Sequence, residues 1–196
     1  MKFLSTIALI TISLCAGLCC PPEEDGDYES FEVQKDHLIT IENDQNVYQL
    51  DDTIYINTLV NNNQVSVDEK NIFVTDFTDL DNDPYINYNI VLYKETNFGT
   101  LAKIEVTNDN IIVTEGLVQN VYDEIIEVKS SYNGTNFKSR FGIKLLETGT
   151  YYLASPNFDY TQAIYIQASF SYDKYLTIIS KIKDSDEKGA FKFIVE

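Results

Sequence analysis

Phe137-Lys138-Ser139-Arg140-Phe141-Gly142-Ile143-Lys144-Leu145 decides the fold. Phe137, Ser139, Phe141, Ile143 and Leu145 fall on one side, and Lys138, Arg140 and Lys144 on the other. Side chains that alternate with a period of two mark a β-strand with one dry face and one wet face. Just upstream stands Asn133-Gly134, between two strand-like runs. That dipeptide is the strongest short-range hairpin signal, because both residues accept the left-handed backbone of a tight turn.

The same period extends in both directions. Thr53-Ile54-Tyr55-Ile56-Asn57-Thr58-Leu59 alternates, and Ile86, Tyr88, Ile90 and Leu92 alternate with Asn87, Asn89 and Val91. Ala102, Ile104 and Val106 alternate with Lys103 and Glu105. Ile164, Ile166, Ala168 and Phe170 follow, then Phe191, Phe193 and Val195. β-branched and aromatic residues dominate these runs, as a pleated surface favours. Turn formers punctuate them at Asn61-Asn62-Asn63, Asp79 to Pro84, Asn108-Asp109-Asn110 and Asp184 to Gly189. No segment sustains a 3.6-residue period, and only Tyr172 to Ile182 is ambiguous. About ten short strands with frequent turns predict an all-β protein, an antiparallel β-sandwich.

Glu147-Thr148-Gly149-Thr150-Tyr151 resembles the turn before the penultimate strand of immunoglobulin-like domains, where an acid, a Gly and a Tyr form a tyrosine corner. Asp51-Asp52-Thr53-Ile54-Tyr55-Ile56 is similar to the start of an early strand in bacterial sandwich modules. The resemblance implies an immunoglobulin-like sandwich. It lacks the paired cysteines and core Trp of a true immunoglobulin domain. No internal repeat is visible, so residues 31–196 read as a single β-sandwich domain enlarged by insertions.

Composition agrees with a packed core. Of 196 residues, 44% are hydrophobic and 13% aromatic. The formal net charge is −17, which excludes binding to a phosphate backbone, so no nucleic-acid partner is expected. The charge is uneven. Pro21 to Asn110 holds 20 acids and 4 bases, whereas Ile111 to Glu196 holds 11 and 9. An acidic half of this kind reads as a soluble exterior.

The N-terminus carries an address. Lys2 precedes an apolar stretch from Phe3 to Leu14, too short to span a bilayer. Residues 1–20 therefore read as a secretory signal peptide. All three cysteines, Cys15, Cys19 and Cys20, sit in its tail. The domain itself has no thiol, so they form no disulfide framework. Leu14-Cys15-Ala16-Gly17-Leu18-Cys19-Cys20 resembles the lipobox of bacterial lipoproteins, although Leu18 stands where the family wants a small residue before Cys19. The resemblance implies acylation at Cys20, with Cys19 as the alternative, and a membrane partner reached through the lipid. Residues 21–30 are an acidic, extended tether. An acidic tract after the lipidated cysteine resembles the surface-export signal of Bacteroidota lipoproteins. It implies an outer-membrane anchor on either the cell-surface or the periplasmic face.

Candidate chemistry is sparse. His37 is the only histidine and reads as a mid-strand structural residue. Zinc is excluded because one His and no Cys in the domain leave only carboxylates. No nucleophile elbow and no phosphate loop are present. Asp76, Asp79, Asp81, Asn82 and Asp83 offer hard oxygens, but an EF-hand started at Asp79 meets Pro84 where Gly is required and Ile90 where Glu is required. The segment reads as a solvated turn, and neither metal nor cofactor is expected. Tyrosines are dense between Tyr151 and Tyr175. Tyr165 shares the polar side of its strand with Gln167 and Ser169, and with Tyr152 it is the candidate for contact with a protein or glycan ligand. The expectation is a non-enzymatic binding or adhesion module. A structural or assembly component of the envelope stands second, and a hydrolase third.

Overall fold

The structure is a computed structural model that describes residues 29–122, 124–157, 162–169 and 174–196. In chain order its strands are β1 (Glu29–Gln34), β2 (Ile39–Ile41), β3 (Val47–Tyr48), β4 (Thr53–Asn61), β5 (Asn63–Val65) and β6 (Asn71–Phe73). There follow β7 (Tyr85–Glu95), β8 (Leu101–Lys103), β9 (Ile111–Glu115), β10 (Leu117–Val121) and β11 (Ile125–Tyr132). The last are β12 (Asn136–Lys144), β13 (Gly149–Ala154), β14 (Ile164–Ser169), β15 (Lys174–Ser180) and β16 (Phe191–Val195). The protein is all-β, with a sandwich-type arrangement of mainly antiparallel sheets. β1 against β15 and β3 against β16 are the parallel pairs among the described residues.

β12 lies at the centre. It pairs with β4 along its whole length, from Asn136 opposite Asn61 to Lys144 opposite Thr53. Phe137, Ser139, Phe141, Ile143 and the following Leu145 all point inward and are buried, as the alternation predicts. They meet Ile54, Ile56 and Val60 of β4 in the main core. The β11–β12 hairpin turns at Asn133-Gly134, where the Asn133 side-chain oxygen accepts from the backbone amides of Thr135 and Asn136.

That hairpin does not stay closed. β11 and β12 pair only at Ser131–Lys138 and Tyr132–Phe137, then diverge. The β9–β10 ribbon enters the fork, with β9 on β12 and β10 on β11. Gly116 is the joint between them, at φ +81°, and a Cβ there would lie 2.5 Å from the Lys129 carbonyl oxygen. Within the fork, Ser130 Oγ donates to Ser139 Oγ at 2.9 Å, so neither buried hydroxyl is left unpaired.

The large sheet runs β1-β15-β14-β7-β11-β12-β4-β2. A bridge from Ile39 to Ile182 joins β2 back to the chain after β15, so the sheet curls until its ends meet. The long strand β7 belongs to two layers. Its first half pairs with β11 and touches β14 at Asn87–Gln167; its second half pairs with β13 and β8. β13 continues the second layer to β16 and β3. A strand that passes between sheets makes the corner of a sandwich.

Several sequence expectations are corrected. His37 is not in a strand. It sits in an exposed turn at φ +65°, where the chain leaves β1 to reach β2. Val91 is buried rather than outward-facing, because a second small cluster of Val91, Tyr93, Ala154 and Ala190 covers the other side of β7 there. The run Ala102 to Val106 is not one strand. β8 ends at Lys103, Ala102 is exposed, and a 3-10 turn follows at Asn108–Asn110. The strands also outnumber the expected ten, because pairs two or three residues long leave almost no periodic trace. Phe170, Tyr160, Tyr172, Cys19 and Cys20 lie outside the described residues.

Candidate functional site

The site is built on the outward side of β7. Along this strand Tyr85, Asn87 and Asn89 face out, while Ile86, Tyr88 and Ile90 are buried. Tyr88 is anchored below by a 2.6 Å hydrogen bond between its hydroxyl and Thr58 Oγ1. Burial pushes the Tyr88 phenol up to about 12, against the opposing pull of its hydroxyl partners Thr58 and Ser139. From Val91 onward the same outward side is covered by the second cluster. Tyr93 donates its hydroxyl to the Ser155 and Pro156 carbonyls at 3.1 Å, which fixes the stretch after β13 against the strand.

Two openings flank that stretch. The larger, of about 810 Å³, lies between the β7–β8 hairpin and the turn before β16. Tyr93, Tyr152, Leu101 and Ala190 supply aromatic and apolar surface, and Glu95, Asp186, Glu187 and Lys188 supply charge. Tyr152 donates to Glu95 Oε2 at 3.4 Å, and Lys192 Nζ stands 5.6 Å above its ring. Asp186 is partly spent on its own turn, accepting from the Ala190 amide.

The hairpin beside this groove has a locked tip. Thr96 N donates to Thr100 O at 2.8 Å, Gly99 N to Thr96 O at 2.9 Å, and the two threonine hydroxyls bond each other at 2.8 Å. The tip holds Phe98 out in solvent, 93% exposed. Isolated exposed aliphatics are ordinary, but a whole phenyl ring displayed on a hydrogen-bonded tip costs hydration free energy with nothing gained in the monomer. The sequence reading missed Phe98. Its signal was an aromatic between Asn97 and Gly99, inside a turn bracketed by two threonines.

The smaller opening, of about 250 Å³, is lined by Asn87, Asn89, Gln167, Tyr165 and the Ser155 to Asn157 stretch. An adjoining cleft of about 330 Å³ shares Asn87 and extends over Tyr85 to the turn from Asp79 to Pro84. In that turn the Asp79 carboxylate accepts from Asp81 N and from the Asn82 side-chain amide, so it closes an Asx turn. The structure thus places the two sequence candidates in different grooves, Tyr152 in the larger and Tyr165 in the smaller. Tyr151 is buried and stacked on Phe193 at 5.5 Å.

Tyr151 makes the tyrosine-corner hydrogen bond that the Glu147-Gly149-Tyr151 spacing suggested, but on β13, which is not the penultimate strand. Its hydroxyl donates to the Glu147 carbonyl at 2.9 Å. Lys94 reaches the same corner, bonding the Glu147 carboxylate and lying 5.4 Å from the Tyr151 ring. Burial works against the Lys94 charge, but Glu147 and Tyr151 outweigh it and raise its pKa, while Lys94 lowers that of Glu147. A second polar staple surrounds Arg140, the only arginine. Its guanidinium grips both Glu42 oxygens, at 2.7 and 2.9 Å, and lies 4.4 Å from the Tyr55 ring. The Arg140 hydrogen bonds hold the Glu42 carboxyl below its ordinary range, against its slight desolvation and with help from Asn57.

No family model matches the chain, and no curated protein matches it. Among solved structures, it is similar to the human F-spondin reeler domain at 9% identity and a TM-score of 0.40, covering 90% of this chain and all of that one. A second structure, the Reelin-N domain of F-spondin, gives 9% identity and a TM-score of 0.38, covering 87% of this chain and 93% of the other. Values this low transfer neither residues nor function.

Proposed function

We propose that this chain is a lipid-anchored, non-enzymatic binding module of a bacterial outer membrane that holds a protein partner in the groove beside Phe98. The carrying observation is the nearly bare Phe98 ring on its locked tip, next to an open groove with Tyr152 at its surface. Interfaces concentrate their energy in aromatic anchors that bury fully on contact. A preformed tip supplies such an anchor with little ordering cost. The cysteines confined to the signal tail support the anchor.

The test replaces Phe98 with a photocrosslinking phenylalanine analogue in living cells. We expect crosslinking to one discrete protein, abolished by Tyr152→Ala in the same chain. Crosslinks that are absent, or that survive Tyr152→Ala unchanged, refute the groove as the contact. The anchor is tested separately with labelled palmitate. It should enter the wild type but not the Cys19→Ser/Cys20→Ser double variant, and an unlabelled wild type removes the lipid from the proposal.

A further inference from the structure

The smaller groove on β7 is a second candidate binding surface, and its chemistry differs from that of the Phe98 groove. The antiparallel register sets Asn87 against Gln167 and brings Asn89 level with Tyr165, so three amides and a phenol form one block. These four side chains enter no hydrogen bond among the described residues. Each amide therefore has both donors and an acceptor free. The four side chains carry no charge, and the Glu127 and Lys129 side chains that stand opposite Asn89 and Asn87 on β11 pair with each other at 3.8 Å, so the surface has no net charge there. Tyr85, 45% exposed, continues the row along β7, with Lys129 Nζ 5.0 Å from its ring. Tyr85 and Asn89 are four positions apart on the strand, a run of roughly 13 Å.

A neutral surface that presents donors and acceptors together, beside an aromatic ring, matches one ligand chemistry well. Vicinal hydroxyls both give and accept hydrogen bonds, and the C–H face of a sugar ring lies against an aromatic face. A cationic peptide would find beside the amides only the Glu127 carboxylate, already paired with Lys129, and an anion only that paired Lys129. At about 250 Å³ the cleft is slightly smaller than a pocket for a drug-sized molecule, which suits the end of a chain rather than a folded loop. We infer that this groove binds a neutral oligosaccharide, through the Asn87, Asn89 and Gln167 amides with Tyr165 as the platform. Among the described residues the site shares no lining residue with the Phe98 groove, so it stands or falls independently of the protein partner.

The experiment uses the full-length protein on an array of neutral hexose and N-acetylhexosamine oligosaccharides, with sialylated and sulfated glycans alongside. Hits are then titrated by calorimetry. We expect binding to neutral members only. It should weaken about tenfold or more in Asn87→Ala and in Gln167→Ala, as loss of paired polar contacts predicts, and be unaltered by Phe98→Ala. Both amides are on the surface, so the variants should melt at the wild-type temperature. Binding to no neutral glycan at about 1 mM, a weak affinity by general standards, overturns the inference. So does binding only to anionic glycans, or neutral binding indifferent to both amide variants.

Discussion

Gly116 and Gly134 allow backbone conformation to be separated from space. Both have a positive φ, +81° and +95°. A Cβ on Gly134 would meet nothing within 4 Å, whereas one on Gly116 would meet the Lys129 carbonyl oxygen at 2.5 Å and Ser139 Cβ at 3.0 Å. Neither obstacle can yield cheaply. Lys129 is paired to Asn87 of β7 on its far side, and Ser139 to Thr58 of β4, so moving either strand breaks a second ladder. An L-residue in the left-handed region costs about 1–2 kcal/mol, offset by several tenths gained from a stiffer unfolded chain. Gly134→Ala should therefore cost about 1 kcal/mol. Gly116→Ala carries the same conformational cost and adds overpacking of about 1–3 kcal/mol, for a total of about 2–4. The chain has no Trp, so urea unfolding is best followed by far-UV circular dichroism. With a slope of about 2 kcal/mol/M, the Gly116→Ala midpoint should lie roughly 1 M below that of Gly134→Ala. Equal midpoints would refute the wedge reading of the β11–β12 fork.

Three further outcomes are expected. Phe141→Ala removes a ring that is 0% exposed and should cost about 3–5 kcal/mol in the same assay; a loss below about 1 would deny it a place in the core. Because Arg140 holds the folded Glu42 pKa below its ordinary 4.5, the stability from this pair is fully present above that value and is lost as pH falls through the folded pKa. The gap between wild type and Glu42→Gln should then be constant near neutrality and shrink in acid, and an identical gap at about pH 3 would contradict the linkage. Calcium and magnesium at equal concentration should shift the melting temperature alike, because the Asp79 carboxylate is already occupied by its own turn; a selective calcium rise abolished by Asp81→Ala would reveal a metal site.

What was legible in the sequence follows from what was periodic. β12, β4, β14 and β16 alternate cleanly, and each has the face the pattern assigned to it. The tyrosine corner was legible because a fixed spacing of Glu147, Gly149 and Tyr151 encodes one hydrogen bond. His37 was misplaced because a residue in a left-handed turn has no periodic signature, and nothing local announces that the chain changes partner strand there. β3, β5 and β8 are too short for a period to show. The fork that admits β9 and β10 depends on contacts between segments far apart in sequence. Of the grooves, Tyr152 and Tyr165 could be nominated, but their separation could not, since it is set by the fold of the stretch after β13.

The break in alternation along β7 carries that missing information. Tyr85 to Asn89 keeps the period of two, and then Ile90, Val91, Leu92 and Tyr93 are all buried in succession. A strand that is dry on both sides has left a half-solvated sheet and entered a place where something covers its second face. Here the cover is Ala154 at the end of β13 together with Ala190, with the following Ser155 and Pro156 pinned by the Tyr93 hydroxyl. The cover ends on either side of a short stretch, and at each end the outward side of β7 becomes a groove. On one side the uncovered residues are amides. On the other the uncovered residue is Glu95, next to the buried Tyr93 and beside a hairpin that projects Phe98. The same local change from alternating to continuous apolar sequence thus produces both the sandwich corner and the two grooves with unlike chemistry.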